Sequence, residues 1–512
     1  MPESVLPPVA PIQHTEVDGV PTMWVDEPGP LVAALMFRVG RSDEPSPMGG
    51  ISHIAEHLAL AGLGVQDYDH NGFVDGTRTL FTSSGKPAEV VHFLDAVVRG
   101  LTDPPLDRLL LERRILREER DQRSPSIGGA VRWYRFGYAG HGRGLGPGDE
   151  ELGLDWLGPE PIRTWIDDRF TRQNAVLWLT GAPPADLRLP LRDGPHHTVV
   201  APETVPDVRF PSHVRWDGPA ATIGFLGRRS PGVNMVANIA HRRMRQQLRF
   251  EHGLVYDVEL DYEPLDAETA HVMFGAECPP DRVARVLGVL VEVLEELARN
   301  GPTPGELETE VGAYCRQFEE RDGRIGLLDA VAMDRLWDGP IRTAQDFLDL
   351  RLAVDPAGAA GAIGTALESM LVLADADLVS DRFTIYPEWA PTLVTGREYS
   401  PSGFFLPGRK PKERLRSGPD GLSAVLSATE GTTVRYRDCV ACVHLAPTSR
   451  ALLGRDGTRI VVNANAWKDG QRIVDEIDAA VPADLVACAE HGIGSLEDPS
   501  EAEPVTASAV GG

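Results

Sequence analysis

The sequence predicts an α+β protein: two homologous α/β-layer domains followed by a small strand-rich C-terminal module. Three observations predict it. From about residue 10 to residue 200, strand-like alternation and helix-spaced apolar residues follow one another in the order β, α, β, α, α, α, β. After a proline-rich stretch the same order restarts, which is a repeat at the level of whole domains. The C-terminal part departs from that order, with short alternating strands and one helix.

In chain order, residues 1 to about 10 carry no pattern. "VPTMWVDEPGPLVAALMFRVG" reads as two strands around an Asp-Glu-Pro-Gly-Pro turn. "MGGISHIAEHLALAGLG" reads as a helix opened by Ser52 as N-cap and closed by glycines. "GTRTLFTSSG" is strand-like, "PAEVVHFLDAVVRGL" has helical spacing, and "LDRLLLERRILREERDQR" is a long charged amphipathic helix. A glycine-rich loop, the helix "GPEPIRTWIDDRF" and the strand "NAVLWLTG" complete a first domain over 10–200. The second domain, 212–395, opens with the strand "AATIGFLG" and the helix "NMVANIAHRRMRQQLRFEHG". Two strands in "LVYDVELDYEPLDAETAHVMFGAE" and two helices, "PPDRVARVLGVLVEVLEELARNG" and "TPGELETEVGAYCRQFEER", follow. Residues 396–428, rich in Gly, Pro, Ser and basic residues, read as a linker, 429–489 as a small β-rich module, and 490–512 as a disordered tail.

The 512 residues are too many for one core. A net charge of −26 argues against a broad nucleic-acid-binding surface. It fits a soluble protein and, more weakly, a chamber that favours basic peptides. No apolar run approaches the length of a membrane span. The N-terminus lacks the basic start and apolar stretch of a secretory signal, so the cytoplasm is the expected location. Five scattered cysteines do not form a disulfide framework, and the lone "CVAC" at 439–442 sits in a strand-like stretch.

The chemistry concentrates in His53-Ile54-Ala55-Glu56-His57. On a helix, residues four apart share a face, so both imidazoles can reach one metal while Glu56 lies beside them as a general base for a polarised water. Two imidazoles, a carboxylate and an open position suit Zn²⁺. Taken alone, the pattern also fits an exposed helix face with two ordinary histidines. A third ligand should be a carboxylate on another helix downstream, and "LERRILREERDQR" offers Glu112 and Glu119, seven apart on one face. One of them can bind the metal and the other support a ligand from behind. Glu118 is adjacent to Glu119 but points elsewhere; charged helices of this kind are more often solvated faces.

With those residues in place, the chain resembles the pitrilysin/insulinase family of zinc peptidases, the inverzincins, over about residues 15 to 395. "FRVGRSDEPSPMGGISHIAEHLALAGLG" resembles the family's strand, glycine-rich turn and metal helix, and "ERRILREE" its downstream helix with two glutamates seven apart. The resemblance implies that His53, His57 and Glu119 hold Zn²⁺, that Glu56 is the base and that Glu112 supports the ligands. "NGFVDGTRTLF" resembles the edge strand that binds substrate backbone, where Asn71 and Thr79 keep the family's spacing. "LRFEHGLVYDV" resembles the Arg and Tyr that act near the scissile carbonyl, implying that Arg249 and Tyr256 donate to an oxyanion. The 62 residues from His57 to Glu119 are fewer than is usual in the family; the missing piece lies between "ALAGLG" and "NGFVDG", where the family has a helix.

The expected function is therefore zinc-dependent endopeptidase action on peptides or unfolded segments inside a closing chamber. Family enzymes close two halves of two domains each, and this chain has one such half. The resemblance thus implies a homodimer or a heterodimer with a related subunit, with Arg249 and Tyr256 acting in the same chain or in the partner. The alternative is a non-catalytic peptide-binding or scaffold subunit of a processing-peptidase-like pair. The strands and helix of 429–489 faintly resemble a pleckstrin-homology-like barrel, implying a docking or regulatory role against the plainer reading of a passive addition.

Overall fold

The computed structural model describes residues 6–122, 127–138, 151–200, 203–206, 208–216, 218, 220–375, 382–386, 392–402, 414–427 and 430–488. The first domain is a six-stranded sheet made of β1 (Gln13–Val17), β2 (Val20–Trp24), β3 (Leu31–Phe37), β4 (Asp69–Val74), β5 (Thr79–Gly85) and β6 (Ala175–Leu179). Its order is β1-β2-β6-β3-β5-β4, so β4 is an edge strand. The helices are α1 (Ile51–Leu60), α2 (Pro87–Thr102), α3 (Leu109–Gln122), α4 (Ile127–Phe136), α5 (Gly153–Trp156) and α6 (Pro159–Arg169). Ile51, Ile54, Ala55, Leu58 and Ala59 give α1 an apolar stripe that packs with Leu35, Phe37 and Phe81 of the sheet and with Val97 and Leu116 of α2 and α3.

The second domain repeats this plan. Its strands are β7 (Ser212–Arg215), β8 (Ala220–Arg228), β9 (Glu259–Pro264), β10 (Thr269–Glu277), β11 (Leu371–Ala374) and β12 (Thr384–Ile385), in the order β12-β7-β11-β8-β10-β9. β2 runs parallel to β6 as β7 does to β11, and the next three pairs toward the edge are antiparallel in both sheets. The helices are α7 (Pro231–Arg245), α8 (Val283–Asn300), α9 (Pro304–Gln317), α10 (Arg321–Leu336), α11 (Ala344–Leu352) and α12 (Pro356–Leu367). The domains exchange cover: Val131 of α4 packs on Val214, Met273 and Leu371 of the second sheet, while Leu328 and Val331 of α10 share a core with Met23, Met36 and Trp178 of the first.

The C-terminal module holds two four-stranded sheets. One is β13 (Arg397–Tyr399), β14 (Arg414–Gly418), β15 (Gly421–Val425) and β16 (Gly431–Arg435). The other orders β17 (Cys439–Ala446), β18 (Ser449–Gly454), β19 (Arg459–Asn463) and β20 (Val486–Cys488) as β19-β18-β17-β20. Between them α13 (Gly470–Ala480) buries Ile473, Val474 and Ile477 against Leu415, Leu422 and Val434 on one side and Cys442, Leu452 and Val462 on the other.

Two local expectations differ from this. The stretch read as a linker, 396–428, supplies β13, β14 and β15, with 403–413 outside the described residues. Its polar composition masks an alternation in which Leu415 and Ser417 are buried between half-buried Arg414, Arg416 and Gly418. Ser52 is not the N-cap of α1; Gly50 is, at φ +88°, and Glu44 takes over the capping by accepting from Gly50 N at 2.7 Å and Ser52 N at 2.9 Å. The glycine-rich loop of the first domain falls mostly outside the described residues, as does the expected tail beyond 488. Among the described residues, no helix is long and apolar enough to cross a membrane. Cys278, Cys315, Cys439 and Cys442 are buried free thiols, with Cys439 pushed up to about 11 and Cys442 to about 12 by burial, which makes both unreactive.

Candidate metal centre

α1 leaves the sheet with its apolar stripe buried, and the same helix turn brings His53, Glu56 and His57 to one side of it. The two rings meet edge-on, with centroids 5.0 Å apart and planes at 85°. α3 packs across α1 through Leu116 and presents Glu112 and Glu119 from one face, two turns apart. Glu119 Oε2 is 3.7 Å from His53 Nε2 and 3.7 Å from His57 Nε2. The three donor atoms lie within 4.8 Å of one another. Glu56 Oε2 sits 3.8 Å from each of the same two nitrogens, almost fully buried. Glu118 is exposed and stands outside this cluster.

The far nitrogens decide what the near ones can do. His53 Nδ1 is 2.9 Å from Glu151 Oε1, and His57 Nδ1 is 3.4 Å from Glu112 Oε2. A carboxylate can only accept, so each Nδ1 carries the hydrogen and each Nε2 is left with its lone pair facing Glu119. Glu112 is fixed in turn by Arg108, one helical turn earlier, at 3.0 Å. Convergent lone pairs on two imidazoles and a carboxylate repel one another unless a cation or protons intervene. This donor set, with a carboxylate behind each histidine, is what Zn²⁺ takes.

Without a metal, protons fill part of that role. Burial pushes Glu56 up to about 7; the His53 charge opposes this and Glu119 and Glu112 add to it. Burial depresses His53, yet its hydrogen bond to Glu151 and the charges of Glu151, Glu56 and Glu119 outweigh that and raise it. His57 ends lowered, by burial and then by the neighbouring His53 charge, against the pull of Glu112 and Glu119.

The edge strand lies against the base. A Cβ at Gly72 of β4 would run into the Glu56 carboxylate, so a glycine there lets the strand pass directly over Glu56. Asn71, paired in register with Thr82, is exposed on that strand. Thr79 is fully buried and donates to Val39 O at 2.9 Å, a structural bond within the sheet. Arg249 and Tyr256 sit elsewhere, at the end of α7. Arg249 lies in a π-helical turn, Gln246–Glu251, that prolongs the helix, a geometry often found at functional positions. Its guanidinium stands 5.0 Å from the ring centre of Tyr256, which is 85% exposed, and 5.3 Å from that of Phe250. The structure brings these two together. Arg249 pairs with Asp257 at 4.0 Å, and among the described residues the cluster of possible metal ligands is His53, His57 and Glu119, without Arg249 or Tyr256.

Sequence reasoning missed Glu151 and Arg108. Arg108 was findable as an i, i+4 partner of Glu112. Glu151 was not: it stands 98 residues from His53 and nothing in its spacing marks it.

A family model described as the Peptidase M16 inactive domain matches residues 227–314. No curated protein matches the chain. Among solved structures, the chain is similar to a peptidase M16 inactive domain from Pseudomonas fluorescens, at 13% identity and TM-score 0.58, over 71% of this chain and 97% of that one. A protease from Helicobacter pylori superposes at TM-score 0.59 and 14% identity, over 72% and 100%. The periplasmic protease PqqL from Escherichia coli superposes at TM-score 0.55 and 11% identity, over 90% of this chain and 56% of that one. The protein thus has the M16 peptidase fold, and in it a His53-Glu56-His57 and Glu119 cluster consistent with the inverted zinc motif.

Proposed function

We propose that the protein is a zinc-dependent endopeptidase acting on peptides or unfolded segments. The observation that carries this reading is the convergence of His53 Nε2, His57 Nε2 and Glu119 with the buried Glu56 facing the same point. His53, His57 and Glu119 would hold the metal, and zinc there supplies a Lewis acid that lowers the pKa of water. Glu56 takes the proton of the attacking water and passes it to the leaving amine. A substrate strand pairs along β4, whose outer edge is open at Asn71, so the scissile bond passes over Gly72 and Glu56. Arg249 and Tyr256 are proposed as oxyanion donors, supplied by this chain on closure or by a second subunit, because one such half needs a partner to enclose a peptide. The homodimer or heterodimer and the cytoplasmic setting belong to the same proposal.

The test compares wild type with Glu56→Gln for zinc content and for cleavage of a mixed peptide library by mass spectrometry. Both should hold stoichiometric zinc, and the variant should lose about 10²–10⁴-fold in cleavage rate. Stoichiometric zinc with no cleavage by wild type, alone or mixed with a related subunit, would sink the peptidase reading.

A further inference from the structure

We propose that the C-terminal module is a working part of the metal centre: it clamps the 151–156 segment onto α1 so that Glu151 fixes the imidazole of His53. The proposal rests on the zinc-site reading above and extends it to a region that reading does not use.

The second sheet of the module is buried on both faces. Cys442, Leu452, Ile460 and Val462 point to α13, while Ala441, Val443, Ala451 and Leu453 point the other way. What covers them is the catalytic domain: Tyr138 and Leu152 are buried in that cluster, with Trp133 and Trp156 packed against it. Leu152 is the residue next to Glu151. Tyr138 N donates to Arg455 O at 3.2 Å in the turn after β18, and a Cβ on Gly137 would collide with the same carbonyl. The seam is therefore close-packed down to backbone contact.

From the seam, the 151–156 segment is tied to both metal-bearing helices. Gly153 N donates to Gly49 O at 2.8 Å and Trp156 Nε1 to Pro47 O at 2.8 Å, just ahead of α1. Asp155 pairs with Arg117 at 2.9 Å, two residues before Glu119 on α3. Glu151 is 3% exposed, and Gly50 is what admits it: a Cβ at Gly50 would stand 2.9 Å from Glu151 Cβ. A side chain thus enclosed can accept from His53 Nδ1 in only one place, which sets the tautomer and the aim of Nε2. The segment is thus held from two sides: Leu154 is buried in the core of the first domain, and the module sheet closes over Leu152, the residue next to Glu151.

The experiment uses the full chain and reads metal directly, by zinc competition with a chromophoric chelator and by the visible absorption of the Co²⁺-substituted protein. Glu151→Ala should weaken zinc binding about 10–100-fold and alter the cobalt bands. Glu151→Gln, which keeps the acceptor, should fall between it and wild type. Leu453→Ala, which loosens the seam without touching the site, should move both readouts in the same direction by less. Far-ultraviolet circular dichroism reports folding, and the Gln variant preserves volume should the Ala variant fail to fold. Unchanged affinity and cobalt bands in both Glu151 variants would overturn the positioning role. An altered Glu151→Ala beside an unaltered Leu453→Ala would overturn the part assigned to the module. A wild type that binds no zinc would instead remove the metal site itself, and this proposal with it.

Discussion

The two domains place the same helix pair at the same point of the same sheet and fill the contact differently. In the first, α3 offers carboxylates to the imidazoles of α1, with both Nε2 atoms left facing Glu119. In the second, α9 offers Glu306 and Glu310 to α7, and what meets them is guanidinium. Arg243 pairs with Glu306 at 2.7 Å, Arg242 pairs with Glu310, and Asn238 donates to Glu310 at 3.0 Å. His241 of α7 is spent on the backbone, with Nε2 2.7 Å from Val258 O. The second contact carries its own cations, and the first lacks one. The same fold thus builds an ion-paired contact in one domain and, in the other, a cluster of His53, His57 and Glu119 with the geometry to take a metal.

That contrast breaks most sharply at His57. His57→Ala should cost more zinc affinity than the about 10–100-fold that loss of a supporting carboxylate costs, because it removes a ligand and not its support. The readout is chelator competition. Hydrogen-exchange protection of α7 and α9 should stay as in wild type. Stoichiometric zinc in His57→Ala would mean that the metal sits elsewhere and that the two contacts are alike.

The acid–base behaviour of the metal-free chain should separate the domains next. Glu56 rises from the ordinary 4.5 to about 7, so its folded form resists ionisation. The penalty is absent below 4.5, grows as pH rises and is complete above about 7, where at about 1.4 kcal/mol per unit it is on the order of 3 kcal/mol. His53, raised above 6.5, stabilises while protonated and loses that contribution as pH climbs through its folded value. His57, lowered, carries its penalty on the acid side and is neutral in both states above 6.5. Beyond 6.5, then, Glu56 and His53 both weaken the first domain as pH rises. Glu306 behaves in the opposite way: its hydrogen bond to Arg243 holds it at about 2, so its contribution is present above 4.5 and fades as pH falls through about 2. Because that pair is partly exposed, it contributes under about 1 kcal/mol. Urea unfolding across pH, with pulse-labelled hydrogen exchange to assign each domain, should show the first domain weakening as pH rises from 4.5 to about 7 and through the folded value of His53, and zinc abolishing the trend. Equal pH responses of the two domains would contradict the contrast.

The parts of this site that are local in the chain were legible in the sequence. His53 and His57 four apart, and Glu112 and Glu119 seven apart, are spacings that a helix converts into one face. The domain repeat was legible for the same reason, since each strand and helix keeps its own period in both halves. What escaped depends on contacts across the chain. Glu44, not Ser52, caps α1 because the turn ahead of the helix folds back over its N-terminus. Glu151 reaches His53 only through a segment pinned between α1 and the C-terminal module. The strands in 396–428 were hidden because Arg414 and Arg416 take the half-buried face of β14 and Ser417 and Ser423 take buried positions, so composition outvoted period.

The smallest expected effect tests the second contact on its own terms. Glu310, 6% exposed, is the carboxylate that Asn238 and Arg242 share. Glu310→Ala leaves the Asn238 amide without its acceptor and Arg242 without its counter-charge, which should cost about 1–3 kcal/mol of stability in urea unfolding. Arg242 is 43% exposed and can turn to water, which places the cost toward the lower end. Zinc affinity and cobalt absorption should be untouched, because no atom of the metal cluster lies on α7 or α9. Glu112→Ala on α3 should do the reverse, weakening zinc while changing the metal-free stability less, since the group it abandons is a histidine whose other nitrogen faces Glu119 at the proposed zinc position. The two variants remove comparable carboxylates from comparable helices. If both changed stability alone, the imidazole contact would be an ion pair like its counterpart; if both changed zinc affinity, the domains would be coupled through their exchanged helices α4 and α10, and the metal centre would extend across both sheets.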